Sequence, residues 1–177
     1  MAYVQTYRSG WSRFLAFAAI ALAVAFAVSL LIAGDARGVL RWTPALLLLA
    51  VGGWLAYGRP LVQVDEDGVT LQNVLQRVVV PWPALVEIDS RYGLRLETTD
   101  GKRWSAWAVP APVGVQRARG QETEAALLVR QRWDQLRGRG EIPARPDAQV
   151  VAQPDPVALA TIGALAVATP LALLLLR

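Results

Sequence analysis

Three groups of side chains in this sequence have the type and spacing to do chemistry. The first is Asp65 and Asp67, two apart with Glu66 between them and followed by Gly68, a start that suits a calcium loop. Counting from Asp65, however, the fifth position is Val69 and the twelfth is Gln76, a neutral residue that cannot supply the bidentate carboxylate such a loop needs. The pattern reads as an acidic β-turn. The second group is Arg91, Arg95, Lys102 and Arg103, on either side of Asp100-Gly101. Two strands joined there would gather these cations on one face, suited to anionic lipid, although Glu87, Asp89, Glu97 and Asp100 are interleaved with them. The third group is Trp82, Trp104, Trp107 and Trp133. Trp104 and Trp107 are three apart, so in a regular strand they point to opposite sides of the sheet and at most one enters the core. Trp107 is therefore taken with Arg91, Arg95, Lys102 and Arg103 as a candidate contact for lipid or a partner.

Other chemistries are absent from the residues themselves. With no cysteine and no histidine, the chain has no disulfide, no thiol nucleophile, no Cys/His zinc site and no serine–histidine–acid triad. It has no glycine-rich phosphate loop, and no carboxylate pair stands in an apolar context. No catalytic, cofactor-binding or metal-ligating residue is expected. Arg117, Arg119, Arg130, Arg132, Arg137 and Arg139 form a denser basic run, but Glu122, Glu124 and Asp134 interrupt it. A nucleic-acid partner needs a basic stripe on one face, and none is evident.

The elements that must position these groups follow from period and punctuation. Residues 61–64, 69–73, 77–80, 86–92, 94–97 and 102–109 read as short strands, the alternation being cleanest in 94–97 and in the fourth run, where Val86, Ile88 and Tyr92 fall on one face. Pro81-Trp82-Pro83 ends the third run. Asp100-Gly101 between two alternating runs marks a hairpin, expected as a type I′ turn with positive φ at both positions. Six short strands so spaced indicate a small antiparallel barrel or sandwich. One helix follows, with Glu122 and Glu124 in its first turn, Arg130, Arg132 and Arg137 toward its end, and Gly138 as the stop. Its stripe of Ala125, Val129, Trp133 and Leu136 would cap the open end of the sheets.

The rest of the chain is hydrocarbon. Of its 177 residues 54% are apolar, and the excess is concentrated: residues 14–33 are interrupted only by Ser29, and residues 42–57 and 157–176 also carry no charge. A crossing needs about 20 residues of helix. The first and third runs have that length, and the second attains it over 39–57 if Arg41 snorkels and Trp42 and Tyr57 sit in the interfacial belts. Residues 14–33 exceed the roughly 7 to 15 apolar residues of a signal peptide core and read as a retained helix. The net charge of +4 comes wholly from the flanks of these runs. Arg8, Arg13, Arg37, Arg41 and Arg177 are offset there only by Asp35, while residues 58–156 carry 13 basic and 13 acidic side chains. The basic balance therefore concerns topology and not a polyanion. Arg8 and Arg13 inside give a helical hairpin that returns the chain to the cytoplasm at Arg59, ahead of a cytosolic domain and a third crossing.

The stretches Arg59-Pro60-Leu61, Asp67-Gly68-Val69, Val80-Pro81-Trp82, Asp100-Gly101 and Trp104 to Pro110, with six strands and one C-terminal amphipathic helix, resemble a bacterial pleckstrin-homology-like (PH-like) domain. They are similar to the family of small membrane-anchored proteins named after a low-molecular-weight actinobacterial antigen. The resemblance implies an α+β fold: a PH-like β-barrel or sandwich capped by one helix, here with three transmembrane helices. Eukaryotic members of the wider fold bind phosphoinositides through basic residues flanking the first hairpin. Here that hairpin is Asp65-Glu66-Asp67, so headgroup binding of that type is not carried over. The expected organisation is a transmembrane helix pair in 1–58, the PH-like domain in 59–138, a Pro-containing tether in 139–156 and a third transmembrane helix in 157–177. The expected function is that of a non-enzymatic interaction module at the cytoplasmic face of the cell membrane, binding a protein or peptide partner. The alternative is a lipid-sensing or accessory subunit of a larger membrane complex.

Overall fold

The computed structural model describes residues 4–91, 93–109, 123–142 and 148–175. In chain order the elements are β1 (Gln5–Tyr7), α1 (Gly10–Ile32), α2 (Ala36–Gly53), β2 (Leu61–Val64), β3 (Gly68–Gln72), β4 (Gln76–Pro81), β5 (Leu85–Asp89), β6 (Arg95–Thr98), β7 (Arg103–Ser105), α3 (Glu124–Gly138), β8 (Val151–Pro154) and α4 (Pro156–Leu175). They fall into two compact units, one of Met1–Ser9 with Pro60–Pro154 and one of Gly10–Arg59 with Asp155–Arg177.

The first unit is α+β. Its strands form two antiparallel sheets, ordered β1-β2-β3-β4-β8 and β5-β6-β7, and the described strands do not close into a barrel. The core is shared: Val62, Val64, Val69, Leu71, Val78 and Val80 from the first sheet meet Leu85, Ile88 and Leu96 from the second, with Ala125, Ala126, Val129 and Leu136 of α3. All six expected strands are present, the last confined to Arg103–Ser105, because most of their apolar side chains are placed on this core. Trp104 packs against the core while Trp107 is 57% exposed. Thr123 caps α3, its hydroxyl accepting from the Ala126 N–H.

Five local expectations need correction. The Asp100-Gly101 hairpin forms, but only Gly101 has positive φ (+75°). The Gly101 N–H donates to the Thr98 carbonyl and the Thr98 N–H to that of Lys102, the pattern of a turn closed by a bulge glycine, not type I′. Val86 does not share a core face with Ile88: a bulge between Leu85 and Glu87 turns it outward, leaving it 51% exposed. Tyr92 lies outside the described residues, as does Glu122. The helix stop is Gly140 (φ +66°) and not Gly138. Its N–H donates to the Arg137 carbonyl, and that of Glu141 donates to Leu136, which satisfies the last open carbonyls of α3. Finally, the segment expected as a tether contains β8, and residues 5–7 form an unanticipated β1. These two strands supply both edges of the larger sheet.

The second unit has three helices long and apolar enough to cross a membrane, Gly10–Ile32, Ala36–Gly58 and Pro156–Leu175, by length and composition. The second includes a π-helical turn, Trp54–Gly58, continuing α2. Asp35 caps α2 by accepting from the Gly38 N–H at 2.7 Å. Within the unit α2 packs against both α1 and α4. Edge-to-face pairs Phe17–Trp54 and Phe26–Trp42 join the arms of the hairpin near its two ends. Asp155 caps α4 through the Ala158 N–H and pairs with Arg59. These two contacts, the backbone bond first, hold its carboxyl below the usual carboxylate range.

Tyr7 on β1 pairs with Val62 on β2, so both strands lie on one side of any membrane the chain crosses. The number of crossings between them must be even. If α1 crosses, α2 crosses back, which makes the weaker second run a full span.

Candidate interaction groove

Burying Ala125, Ala126, Val129 and Leu136 in the core fixes the rotation of α3. Arg130, Trp133 and Arg137, at i, i+3 and i+7, then form a second stripe along the flank of the helix. Opposite this flank runs β5, which among the described strands pairs only with β6. The Val86 bulge, the charged side chains of β5 to β7 and the α3 flank enclose a groove of about 510 Å³. A second depression of about 430 Å³, lined by Trp82, Pro83, Leu85 and Ile142 among others, shares Val86 and Trp133 with it. The two run into one another as a charged half and an apolar half.

The charged half is closely matched in sign. It holds Arg91, Arg95, Arg103 and Arg130 against Glu87, Asp89 and Glu97. Strand register sets Asp89 opposite Arg95, and Glu97 opposite both Glu87 and Arg103. Arg103 Nε donates to Glu97 Oε2 at 2.9 Å, and Arg130 Nη2 donates to the Ile88 carbonyl of β5 at 3.1 Å. The Arg91 N–H is held by Asp89 Oδ1 at 2.9 Å. In the apolar half the Arg137 guanidinium lies 4.8 Å from the centroid of the Trp133 ring, a cation–π contact.

Of the five residues singled out from sequence, Arg91, Arg95 and Arg103 line this groove. Lys102 does not: it is at the β6–β7 turn, 3.3 Å from Asp100. The Asp100 carboxyl is held below its ordinary value by the Thr98 hydroxyl first, and then by its contacts with Lys102. Trp107 is elsewhere again, its N–H donating to Asn73 Oδ1 at 2.8 Å beside the β3–β4 turn. Sequence reasoning gave Val86 to the core, Arg130 to a basic run and Trp133 to the core stripe of the helix. Trp133 does pack against the core while also lining the groove, and the bulge that turns Val86 outward left no sequence signal. The Asp65 carboxylate is occupied locally, accepting from the Asp67 and Gly68 N–H groups, which is the work of an acidic turn. Among the described residues no group of three or more Asp and Glu side chains is placed to hold a metal ion.

The two-sheet core, the Pro-Trp-Pro bend and the capping helix are the features for which a family match is decisive. Residues 59–130 match the family model for a bacterial PH domain. This segment is a bacterial PH-like domain. The narrower likeness to the actinobacterial antigen type rests on the sequence motifs alone. No curated protein and no solved structure matches the chain significantly. PH-like domains are generally non-catalytic interaction modules, and this one shares a chain with three helices whose length and composition associate it with a membrane.

Proposed function

We propose that the protein is a multi-pass, membrane-anchored PH-like module, non-enzymatic, that receives a segment of a protein partner in the groove between β5 and α3. The observation that carries this reading is the groove's composition. An apolar half around Val86 and Trp133 adjoins a half in which arginines and carboxylates alternate. Such a surface suits a polypeptide, which can offer an apolar anchor and both signs of charge. It suits an anionic headgroup poorly, because carboxylates stand among its arginines. The bulge at Val86 and the Arg130 bond to the Ile88 carbonyl guard the edge of β5, so side chains and not strand addition make the contact.

The cytoplasmic face is favoured by the arginines. By sequence, Arg8, Arg13, Arg59 and Arg145 flank the spans on the domain's side, against Arg37, Arg41 and Arg177 on the other, where Asp35 also lies. A photo-crosslinking residue at Val86 of the full chain, in membranes of the cells that express it, tests the groove. One discrete crosslinked partner, lost on Trp133→Ala and absent when the crosslinker stands at Glu66, is expected. Equal products from both positions, or none from Val86, would sink the proposal.

A further inference from the structure

Register places four features at one end of the five-stranded sheet. Tyr7 opposite Val62, Leu61 opposite Gln72, Gln72 opposite Arg77 and Gln76 opposite Pro154 put the last residues of β1, the first of β2, the β3–β4 turn and the last of β8 side by side. From that end the chain continues from Ser9 into Gly10, back from Arg59 into Pro60, and from Pro154 into Asp155. Every covalent connection between this unit and the three apolar helices therefore leaves one end of the sheet, with only one or two residues between strand and helix at each.

This end carries an apolar protrusion. The β3–β4 turn, closed by the Asn73 N–H on the Gln76 carbonyl, presents Leu75 at 40% exposure. Asn73 also staples a second segment beside it: its Nδ2 donates to the Ser105 carbonyl at 3.0 Å, and its Oδ1 accepts from the Trp107 N–H. The segment that carries the 57% exposed Trp107 is thus tied to the β3–β4 turn, which carries Leu75, by two hydrogen bonds of the Asn73 side chain. Charge is polarised along the same axis. Arg8 and Arg77 are exposed at this end, whereas Asp65-Glu66-Asp67 form the β2–β3 turn at the opposite end.

We propose that Leu75 and Trp107 form an interfacial foot, seated at the headgroup–acyl boundary of the leaflet from which the apolar helices emerge. Three direct connections bring this end to that surface, and an indole with an aliphatic neighbour is the pair the boundary accepts. The arginines beside them and the acidic turn at the far end orient the domain the same way against anionic lipid. The foot leaves the β5–α3 groove to a protein partner and assigns Trp107 to lipid. It rests on the membrane-anchored reading of the three helices.

The chain has no cysteine, so single labels report cleanly. Nitroxide labels at Leu75→Cys, Trp107→Cys, Glu66→Cys and Leu22→Cys in the full chain, reconstituted into phosphatidylcholine–phosphatidylglycerol nanodiscs, are compared for collision with oxygen and with a water-soluble nickel complex. The expected order of oxygen-to-nickel ratio is Leu22 highest, Leu75 and Trp107 severalfold above Glu66, and Glu66 aqueous. Trp107→Ala in the Leu75→Cys background lowers the ratio at residue 75. Ratios at 75 and 107 equal to that at 66, with residue 22 lipid-exposed, would overturn the foot and leave the anchoring intact. An aqueous value at residue 22 would overturn both.

Discussion

Replacing Trp82 separates burial from hydrogen bonding in the PH-like core. The residue is 3% exposed and sits between two prolines in the bend from β4 to β5. Its Nε1 donates to the Asp65 carbonyl at 3.2 Å, and its backbone N–H donates to that of Asp67 at 3.1 Å. One side chain thus ties the bend to the acidic turn while filling the core. Trp82→Ala removes the ring and opens a cavity, a loss of about 3–5 kcal/mol, against a total stability of about 5–15 kcal/mol for a domain. Trp82→Phe keeps most of the burial and loses one hydrogen bond, about 1 kcal/mol. Trp107→Ala, at a largely exposed position, stays within about 0.5 kcal/mol. Urea unfolding of the full chain in mild detergent, followed by near-ultraviolet circular dichroism, measures the series. With a slope of about 2 kcal/mol/M, Trp82→Ala lowers the midpoint by about 2 M and Trp82→Phe by about 0.5 M. A Trp82→Ala shift no larger than that of Trp107→Ala would refute the placement of Trp82 in the core. A Trp82→Phe shift equal to that of Trp82→Ala would show that the hydrogen bond, and not the burial, holds the bend.

Three further outcomes are expected. Burial first, and then the nearby Glu124 charge, raise the Tyr7 hydroxyl above its ordinary value of 10.0. The fold therefore favours the protonated form: this contribution is full below about pH 10 and lost as pH climbs through the folded value, so Tyr7→Phe removes that part of the alkaline limb of a stability–pH curve. Asp100 has the opposite sign. Its carboxyl is held below 3.8, so its contribution is full above that value and lost as pH falls through the lower folded value; Asp100→Asn flattens that part of the acid limb and leaves neutral-to-alkaline behaviour parallel to the parent. Replacing residues 151–154 with Gly-Ser-Gly-Ser removes the partner of β4 and bares its edge; size-exclusion chromatography should show self-association, and a monomer with unchanged protease resistance would count against β8 as a structural strand.

The six central strands were legible because each alternates against one shared core, so that Val62, Val64, Val69, Leu71, Val78 and Val80 register as a period of two. The outer strands left no such trace. β1 has three residues, and all four residues of β8 are exposed. They add backbone hydrogen bonds to a sheet without burying a new apolar face, and hydrogen bonding alone has no sequence period. The groove was half legible for a related reason. Strand alternation gathers Arg91, Arg95 and Arg103, but it also predicted Val86 inside, and a one-residue bulge inverts that face without altering composition. Lys102 and Trp107 were grouped with the arginines by proximity in sequence, whereas the turn carries one to its tip and Asn73 carries the other to the end of the neighbouring sheet.

The pairing of β1 with β2 makes α1 and α2 the loop that this pairing has to close. A free loop of about fifty residues between these strands would oppose their pairing by about 3.5 kcal/mol of closure entropy. If α1 and α2 insert as a hairpin before the sheet assembles, their outer ends would stand about 10 Å apart, and insertion itself would close most of that loop, so that β1 would reach β2 without a search by diffusion.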